Sequence, residues 1–211
     1  MEKPIEPEAP AQSPPRVIVT LPDGLAIRTW QASDAPALAA NATRAVWLNL
    51  RNRMPQPYTE EHAKTFISTM ASPSSLVPSG PWTPSTGSTG PPIPTSHAIT
   101  LHGEFIGSIG FHFGTDVYFR TAEIGYWIGE AYWGKGIMGK VVPAFMAWVW
   151  ATFGVLVRVN SETYAWNEAS GRVLVKAGFV FEGQREAAVV KDGRIGATRM
   201  WGALRPGGVG E

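Results

Sequence analysis

The chain has 211 residues, 44% of them hydrophobic and 17% charged, and its 18 Lys plus Arg against 17 Asp plus Glu give a formal net charge of +1. That length fits one domain with a real core, and the charge balance makes no electrostatic case for a nucleic-acid or membrane-surface partner. Cysteine is absent, which excludes disulfide staples, thiolate metal sites and a cysteine nucleophile, and no apolar run approaches the roughly 18 residues of a membrane span.

Residues 1–15 hold five prolines and almost nothing apolar, the composition of a disordered leader. This acidic, proline-rich start does not read as a secretory signal, so a soluble cytoplasmic protein is expected. RVIVTLPDGLAIRTW reads as two short strands turning at Pro22-Asp23-Gly24. Ser33 or Asp34 then caps one helix through DAPALAANATRAVWLNLRNR, which Met54-Pro55 stops, and TEEHAKTFISTMA forms a second helix with an acidic first turn. Residues 72–96 are mostly Ser, Pro, Gly and Thr. A loop of this length is either a surface insertion or a substrate lid.

Strand patterns resume in HAITLHGEF and IGSIGFHFG, joined as a hairpin near Gly103-Glu104, and continue in AEIGYWIG. A helix over 138–153, a strand in VLVRVNSETYAW and a helix in NEASGRVLVKAG follow. GFVFEG and a pair turning at Asp192-Gly193 close the chain, leaving a flexible tail over 206–211. Strands and helices alternate only in the middle, which predicts an α+β (mixed α/β) domain over 16–205. Trp148 and Trp150 lie two apart on one helix and cannot both face inward.

The stretch Ala122 to Gly139, AEIGYWIGEAYWGKGIMG, carries the most chemistry. It runs from a strand through a glycine-rich turn into a helix, and a helix start presents unpaired N–H groups and partial positive charge. Gly134, Gly136 and Gly139 let a bulky anion approach those groups, which suggests a phosphate site. The Lys-Ser/Thr pair of a P-loop is missing, as is the glycine spacing of a dinucleotide fingerprint, so ATP and NAD are disfavoured. His97, His102 and His112 lack the spacing of a metal site, and no metal is expected.

Taken with WNEAS and VLVKAGFVFEG downstream, this stretch resembles the GNAT N-acetyltransferase superfamily, and within it the Rim-type branch, whose best-known members acetylate ribosomal-protein N-termini and which also includes small-molecule acetylators. The resemblance covers most of 25–204. It implies a central mixed, mostly antiparallel sheet of six to seven strands, splayed between strands 4 and 5 and flanked by about four helices. It further implies that the protein transfers acetyl from acetyl-CoA to a primary amine by direct attack, without a metal. The acceptor would be a protein N-terminus or a small-molecule amine, and the enzyme a monomer or homodimer. A CoA-binding module that has lost turnover is the alternative.

The resemblance places the cofactor pyrophosphate on the main chain of Gly134, Lys135, Gly136, Ile137, Met138 and Gly139, with Lys140 as counter-charge. Trp133 and Met138 depart from the usual residues of that turn. Trp127 and Ile128 would offer backbone groups to the pantetheine arm, with Ile128 N–H also an oxyanion donor, and Asn167 would bond a pantetheine amide or cap its helix, or both. Lys176 and Arg172 are candidates for the cofactor's 3′-phosphate. Glu123 is the first choice for the base, with a water relay or a structural ion pair as its alternatives. Ser170 would serve the departing thiolate, because the position of the superfamily tyrosine is Leu174 here, or it is only a first-turn serine. His112 is a candidate wall of the acceptor pocket, and Val189 stands where some Rim-type enzymes have a glutamate.

Overall fold

Local chemistry places most of the elements of the computed structural model, which describes residues 15–208. Strands β1 (Val17–Thr20) and β2 (Leu25–Arg28) turn through Asp23 and Gly24, as the Pro-Asp-Gly signal predicts. Helix α1 (Ala35–Asn41) follows a turn that is fixed by Asp34. The Asp34 carboxylate accepts Gln31 N–H at 2.9 Å and pairs in bidentate fashion with the buried Arg28 guanidinium at 2.6 and 2.8 Å. The single helix expected over 34–53 breaks after Ala42. Asn41 bonds back to Ala37 O at 2.9 Å, and the Thr43 hydroxyl accepts Val46 N–H to cap a separate short helix, α2 (Arg44–Trp47). Side chains of these types compete with the helical ladder, so the break sits where they fall. Helix α3 (Glu60–Met70) begins as expected, with Thr59 and His62 capping each other and Glu60 and Glu61 in the first turn.

Residues 72–96 form a folded ribbon in place of a structureless loop. Two nested pairs build it, β3 (Leu76–Pro78) with β6 (Pro92–Pro94), and β4 (Trp82–Thr83) with β5 (Gly87–Ser88). Gly80 anchors it, donating to Thr152 O at 2.7 Å and accepting from Gly154 N at 3.0 Å. These are residues at the C-terminal end of α4 (Met138–Thr152).

The main sheet has eight strands, one or two more than expected, in the order β1-β2-β7-β8-β9-β10-β12-β11. Its remaining members are β7 (Ser96–Leu101), β8 (Glu104–Phe113), β9 (Thr121–Ile128), β10 (Arg158–Tyr164), β11 (Val180–Lys191) and β12 (Arg194–Leu204), and α5 (Glu168–Lys176) precedes β11. All neighbours are antiparallel except β9 and β10. The two strands expected after Gly178 join into one long β11, interrupted by a bulge between Arg185 and Val189 where Ala187 takes φ 49°. The residues expected to be tail, 206–211, are described only as far as 208.

Helices α1 and α3 cover one face of the sheet with Ala35, Leu38, Ala63 and Ile67, packed on Ala98 and Phe105. Helix α4 covers the other with Val141, Val142, Phe145, Met146 and Val149, packed on Ile106, Ile109, Ile124 and Val159. Trp148 and Trp150 are both half-buried, so neither forms the exposed patch that their spacing suggests. Trp148 stacks on Phe145, and Trp150 lies under the Arg205 guanidinium. Arg205 also donates to the carbonyls of Trp150, Phe153 and Leu156, satisfying acceptors at the end of α4.

His97 is buried against Phe145 and Trp148, and its Nδ1 has no hydrogen-bond partner among the described residues. Burial, with a smaller contribution from Arg16, pushes its pKa down to about 3. The unfolded chain therefore takes up a proton below about pH 6.5 that the folded chain refuses until about pH 3. Stability contributed by neutral His97 is present above pH 6.5 and is lost as the pH falls, by up to about 1.4 kcal/mol per unit. Thermal melts between pH 4 and 7 should show this slope, and His97→Phe should flatten it. An unchanged slope in the variant would refute the assignment.

Candidate functional site

Strands β9 and β10 separate almost as soon as they pair. Three parallel register positions join them, Thr121 with Arg158, Ala122 with Val159 and Glu123 with Asn160. Beyond these, β9 stays with β8 and β10 stays with β12 along its whole length. The splay implied by the resemblance is thus present, and it opens just past Glu123.

Which backbone groups face the opening follows from the ladder. Gly129 N bonds Ile106 O at 2.9 Å and Gly114 N bonds Thr121 O at 2.8 Å, with unbroken β8–β9 register between them. Residues 121, 123, 125 and 127 therefore spend their N–H and C=O groups on β8, and the alternate residues face the other way. Val157 N on Arg120 O, at 2.9 Å, agrees. The main chain of Trp127 is thus committed to β8, and its ring packs on Phe105. Tyr126 and Ile128 are the residues whose backbone faces the gap. The Ile128 carbonyl accepts the Trp133 indole N–H at 2.9 Å, which leaves its N–H as the group directed into the opening.

The same Trp133 bond ties the glycine-rich turn to the end of β9. Gly134 and Gly136 both take φ 72°, a left-handed conformation in which a side chain is strained. The ladder of α4 begins with Lys140 N and Val141 N, both on Ile137 O. The N–H groups of Ile137, Met138 and Gly139 precede that first bond, at the positive end of a 15-residue helix. Lys176 of α5 reaches this turn, its Nζ lying 3.6 Å from where a Cβ on Gly139 would sit. The other cations are engaged elsewhere. Lys140 pairs with Asp23 at 2.7 Å, Lys135 lies over the Tyr132 ring, and Arg172 is 3.7 Å from Glu168. The cradle, with its freed N–H groups, two left-handed glycines and one adjoining ammonium, fits a pyrophosphate.

On the same side of the sheet, the N-terminus of α5 borders the gap. Asn167 caps the helix, its Oδ1 accepting Ser170 N–H at 3.2 Å. Its amide N–H₂ is a separate group and takes no part in the cap. Ser170 Oγ is 2.8 Å from the Tyr126 hydroxyl, which also lies 3.1 Å from Ser170 O. Leu174 is fully buried in the core. Gly171 lets the helix close on Trp201, whose ring a Cβ would meet at 2.9 Å.

Glu123 projects from the opposite face. It is ion-paired with Arg51, the structural alternative weighed for it, and the same Arg51 nitrogen bonds Glu162 of β10 at 2.9 Å. Arg51 thus bridges the two strands where they part. The segment carrying it is held by Tyr164, whose hydroxyl donates to Leu50 O at 3.2 Å, and by Lys191, which reaches Asn52 Oδ1 at 2.7 Å. His112 is the cross-strand neighbour of Glu123. Desolvation, Arg53 and Arg51 lower its pKa and Glu123 raises it, with a net shift downward that favours the neutral ring. Val189 sits in regular register opposite Gly196, and Glu186 in the adjoining bulge is hydrogen-bonded to Gln184. His102 lies at the β7–β8 turn, and no group of His, Cys, Asp or Glu suited to a metal occurs among the described residues.

Sequence reasoning missed Arg51, Glu162 and Tyr126. Their partners are 72, 111 and 44 positions away, so no local pattern announces them.

This architecture defines a class. A family model described as an acetyltransferase (GNAT) domain matches residues 25–180, and the chain belongs to that family. It is 33% identical over 103 residues to YoaA of Bacillus subtilis, an uncharacterized N-acetyltransferase, covering 49% of this chain and 57% of that one. It is 35% identical over 85 residues to the ribosomal-protein-serine acetyltransferase of Escherichia coli, covering 40% and 46%. The matches thus span about half the length of these relatives. Among solved structures, RimL, a ribosomal L7/L12 alpha-N-protein acetyltransferase in complex with coenzyme A, superposes with a TM-score of 0.69 at 20% identity over 90% of this chain and 98% of the other. The microcin C7 self-immunity acetyltransferase MccE, in complex with acetyl-CoA and AMP, gives 0.66 at 16% identity over 86% and 93%. At these identities the likeness is one of fold.

One substitution and one deletion test the geometry of the cradle. Gly136→Val forces a branched side chain into a left-handed position, a strain of about 1–2 kcal/mol, and should abolish the rise in Tm produced by acetyl-CoA. Shortening the ribbon at 83–87 should leave that rise unchanged, because its anchor is at the far end of α4, about 20 Å from the turn by helical rise. Loss of the rise on shortening would make the ribbon part of the site.

Proposed function

We propose that the protein is an N-acetyltransferase that moves acetyl from acetyl-CoA to a primary amine, a peptide N-terminus or a small-molecule amine. The observation that carries this reading is the gap between β9 and β10, which has an anion cradle and helix α5 on one face and the carboxylates of Glu123 and Glu162, bridged by Arg51, on the other. Two substrates can then meet through the sheet from opposite sides, which suits direct transfer without a covalent enzyme intermediate.

In this reading the N–H groups of Gly134 to Gly139 and the Lys176 ammonium hold the pyrophosphate. Lys140 joins them if it leaves Asp23. The pantetheine arm lies along β9 as an added strand on the Tyr126 and Ile128 main chain, with the Asn167 amide N–H₂ as a side-chain donor. The Ile128 N–H polarises the thioester carbonyl, and Ser170 meets the departing sulfur. The amine enters past Glu123 and Glu162, whose carboxylates suit a cation. It must lose a proton before attack, since α-amines and lysines have reference pKa values of about 8 and 10.4. Glu123, acting directly or through water, and the neutral His112 beside it are the available acceptors for that proton.

Acetyl-CoA at a hundred times its Kd should stabilise the protein by about 2.7 kcal/mol. Thiol release across a panel of amines and short peptides then identifies the acceptor. With that acceptor, Glu123→Gln and Ser170→Ala should each lower kcat/KM by about tenfold or more. Wild-type rates in both variants would overturn these roles. Binding without thiol release for any amine would favour a CoA-binding module, and a Tm that responds to ATP but not to acetyl-CoA would overturn the reading altogether.

A further inference from the structure

The side chain that contacts the Ser170 hydroxyl is the phenol of Tyr126. Tyr126 lies on β9 beyond the last residue paired with β10, on the face that carries α5, so its contact with Ser170 crosses the mouth of the gap. The phenol has one proton and two oxygens of the same residue within reach, Ser170 Oγ at 2.8 Å and Ser170 O at 3.1 Å. When it donates to the carbonyl, the serine hydroxyl proton points back at the phenol oxygen. When it donates to Oγ, the serine proton is released to point elsewhere. The two arrangements differ by rotation of two O–H bonds and need no movement of heavy atoms.

We infer that Tyr126 is a positioning residue for thioester cleavage, its hydroxyl turning the Ser170 O–H toward the sulfur that leaves. The inference rests on the acetyl-transfer reading above. The amine nitrogen bonds to the acetyl carbon, the C–S bond breaks, and its electron pair remains on sulfur. The Ser170 O–H then hydrogen-bonds that thiolate while the Tyr126 O–H bonds Ser170 Oγ, so that donation along the pair strengthens the final bond. The proton that sulfur finally takes is balanced by the one lost from the amine, and neither hydroxyl is consumed. Burial pushes the Tyr126 phenol well above the usual tyrosine range, although its bond to Ser170 acts the other way. The phenol therefore stays protonated, as a permanent donor.

The test compares the full chain with Tyr126→Phe, Ser170→Ala and the double variant, first by calorimetric binding of CoA and desulfo-CoA at pH 9 and then by thiol release. The wild type should bind CoA about tenfold more tightly than desulfo-CoA, a ratio that reads the bond to sulfur, and Tyr126→Phe should bring the ratio near one. In turnover, Tyr126→Phe should lower kcat about tenfold with little change in KM for acetyl-CoA, and the double variant should be no slower than Ser170→Ala alone. A wild-type ratio and kcat in Tyr126→Phe, or fully additive losses in the double variant, would overturn the inference while leaving acetyl transfer intact. If Tyr126→Phe does not fold, Ser170→Ala reads the same ratio, and an unchanged ratio there is equally fatal. A wild type that binds neither CoA nor acetyl-CoA would remove the acetyl-transfer reading itself, and this inference with it.

Discussion

Three residue pairs of parallel sheet join two halves that are each antiparallel throughout, β1-β2-β7-β8-β9 and β10-β12-β11. The shortness of that seam is the constraint from which the site follows. Strand β10 pairs with β12 over seven positions and β9 with β8 over seven, so each strand keeps its stronger partner as the sheet twists. The backbone of Tyr126 and Ile128 is left directed into an opening, where buried polar groups require partners. A ligand that is itself an extended chain with amide groups can satisfy them, so a local failure of pairing leaves an edge suited to binding.

The opening is held at a fixed width by groups that cross it. Helix α4 packs on Ile124 of one half and Val159 of the other, the Tyr126–Ser170 contact spans it on the α5 face, and Arg51 bridges Glu123 and Glu162 on the α1 face. Arg51 and Glu123 are half-exposed and Glu162 is partly exposed, so the bridge carries little stability by itself. Its weight is positional, because it places two carboxylates from different strands on one nitrogen. The end of α4 is held as firmly as its start is left open. Arg205 fills the C-terminal carbonyls and the β3–β6 ribbon is bolted there, while the N-terminal N–H groups remain for an anion.

Much of this was legible from local signals. The Pro22-Asp23-Gly24 and Asp192-Gly193 turns, the capped start at Thr59 and the glycine-rich start of α4 lie where sequence places them, since each depends on residues a few positions apart. The failures have equally local reasons. One helix became two because Asn41 and Thr43 bond their own backbone, and the Ser/Pro/Gly-rich segment paired with itself because Gly80 could dock on α4. The resemblance puts the Trp127 main chain on the open edge of β9, whereas the period of two turns it toward β8 and turns that of Tyr126 toward the gap, a difference of one residue that reverses which side of the strand a group faces.

The sequence by itself determined most strands and helices of the main sheet, the glycine-rich start of α4 and the family to which the chain belongs, because propensity, turn chemistry and motif spacing act over short distances. Only the tertiary structure decided that Glu123 is shared with Arg51 and Glu162, that Ser170 is partnered by Tyr126, and that these two groups sit on opposite faces of one gap. Those facts depend on where β9 and β10 part, and the parting is set by competition between strand partners far apart in the chain, to which no local pattern responds.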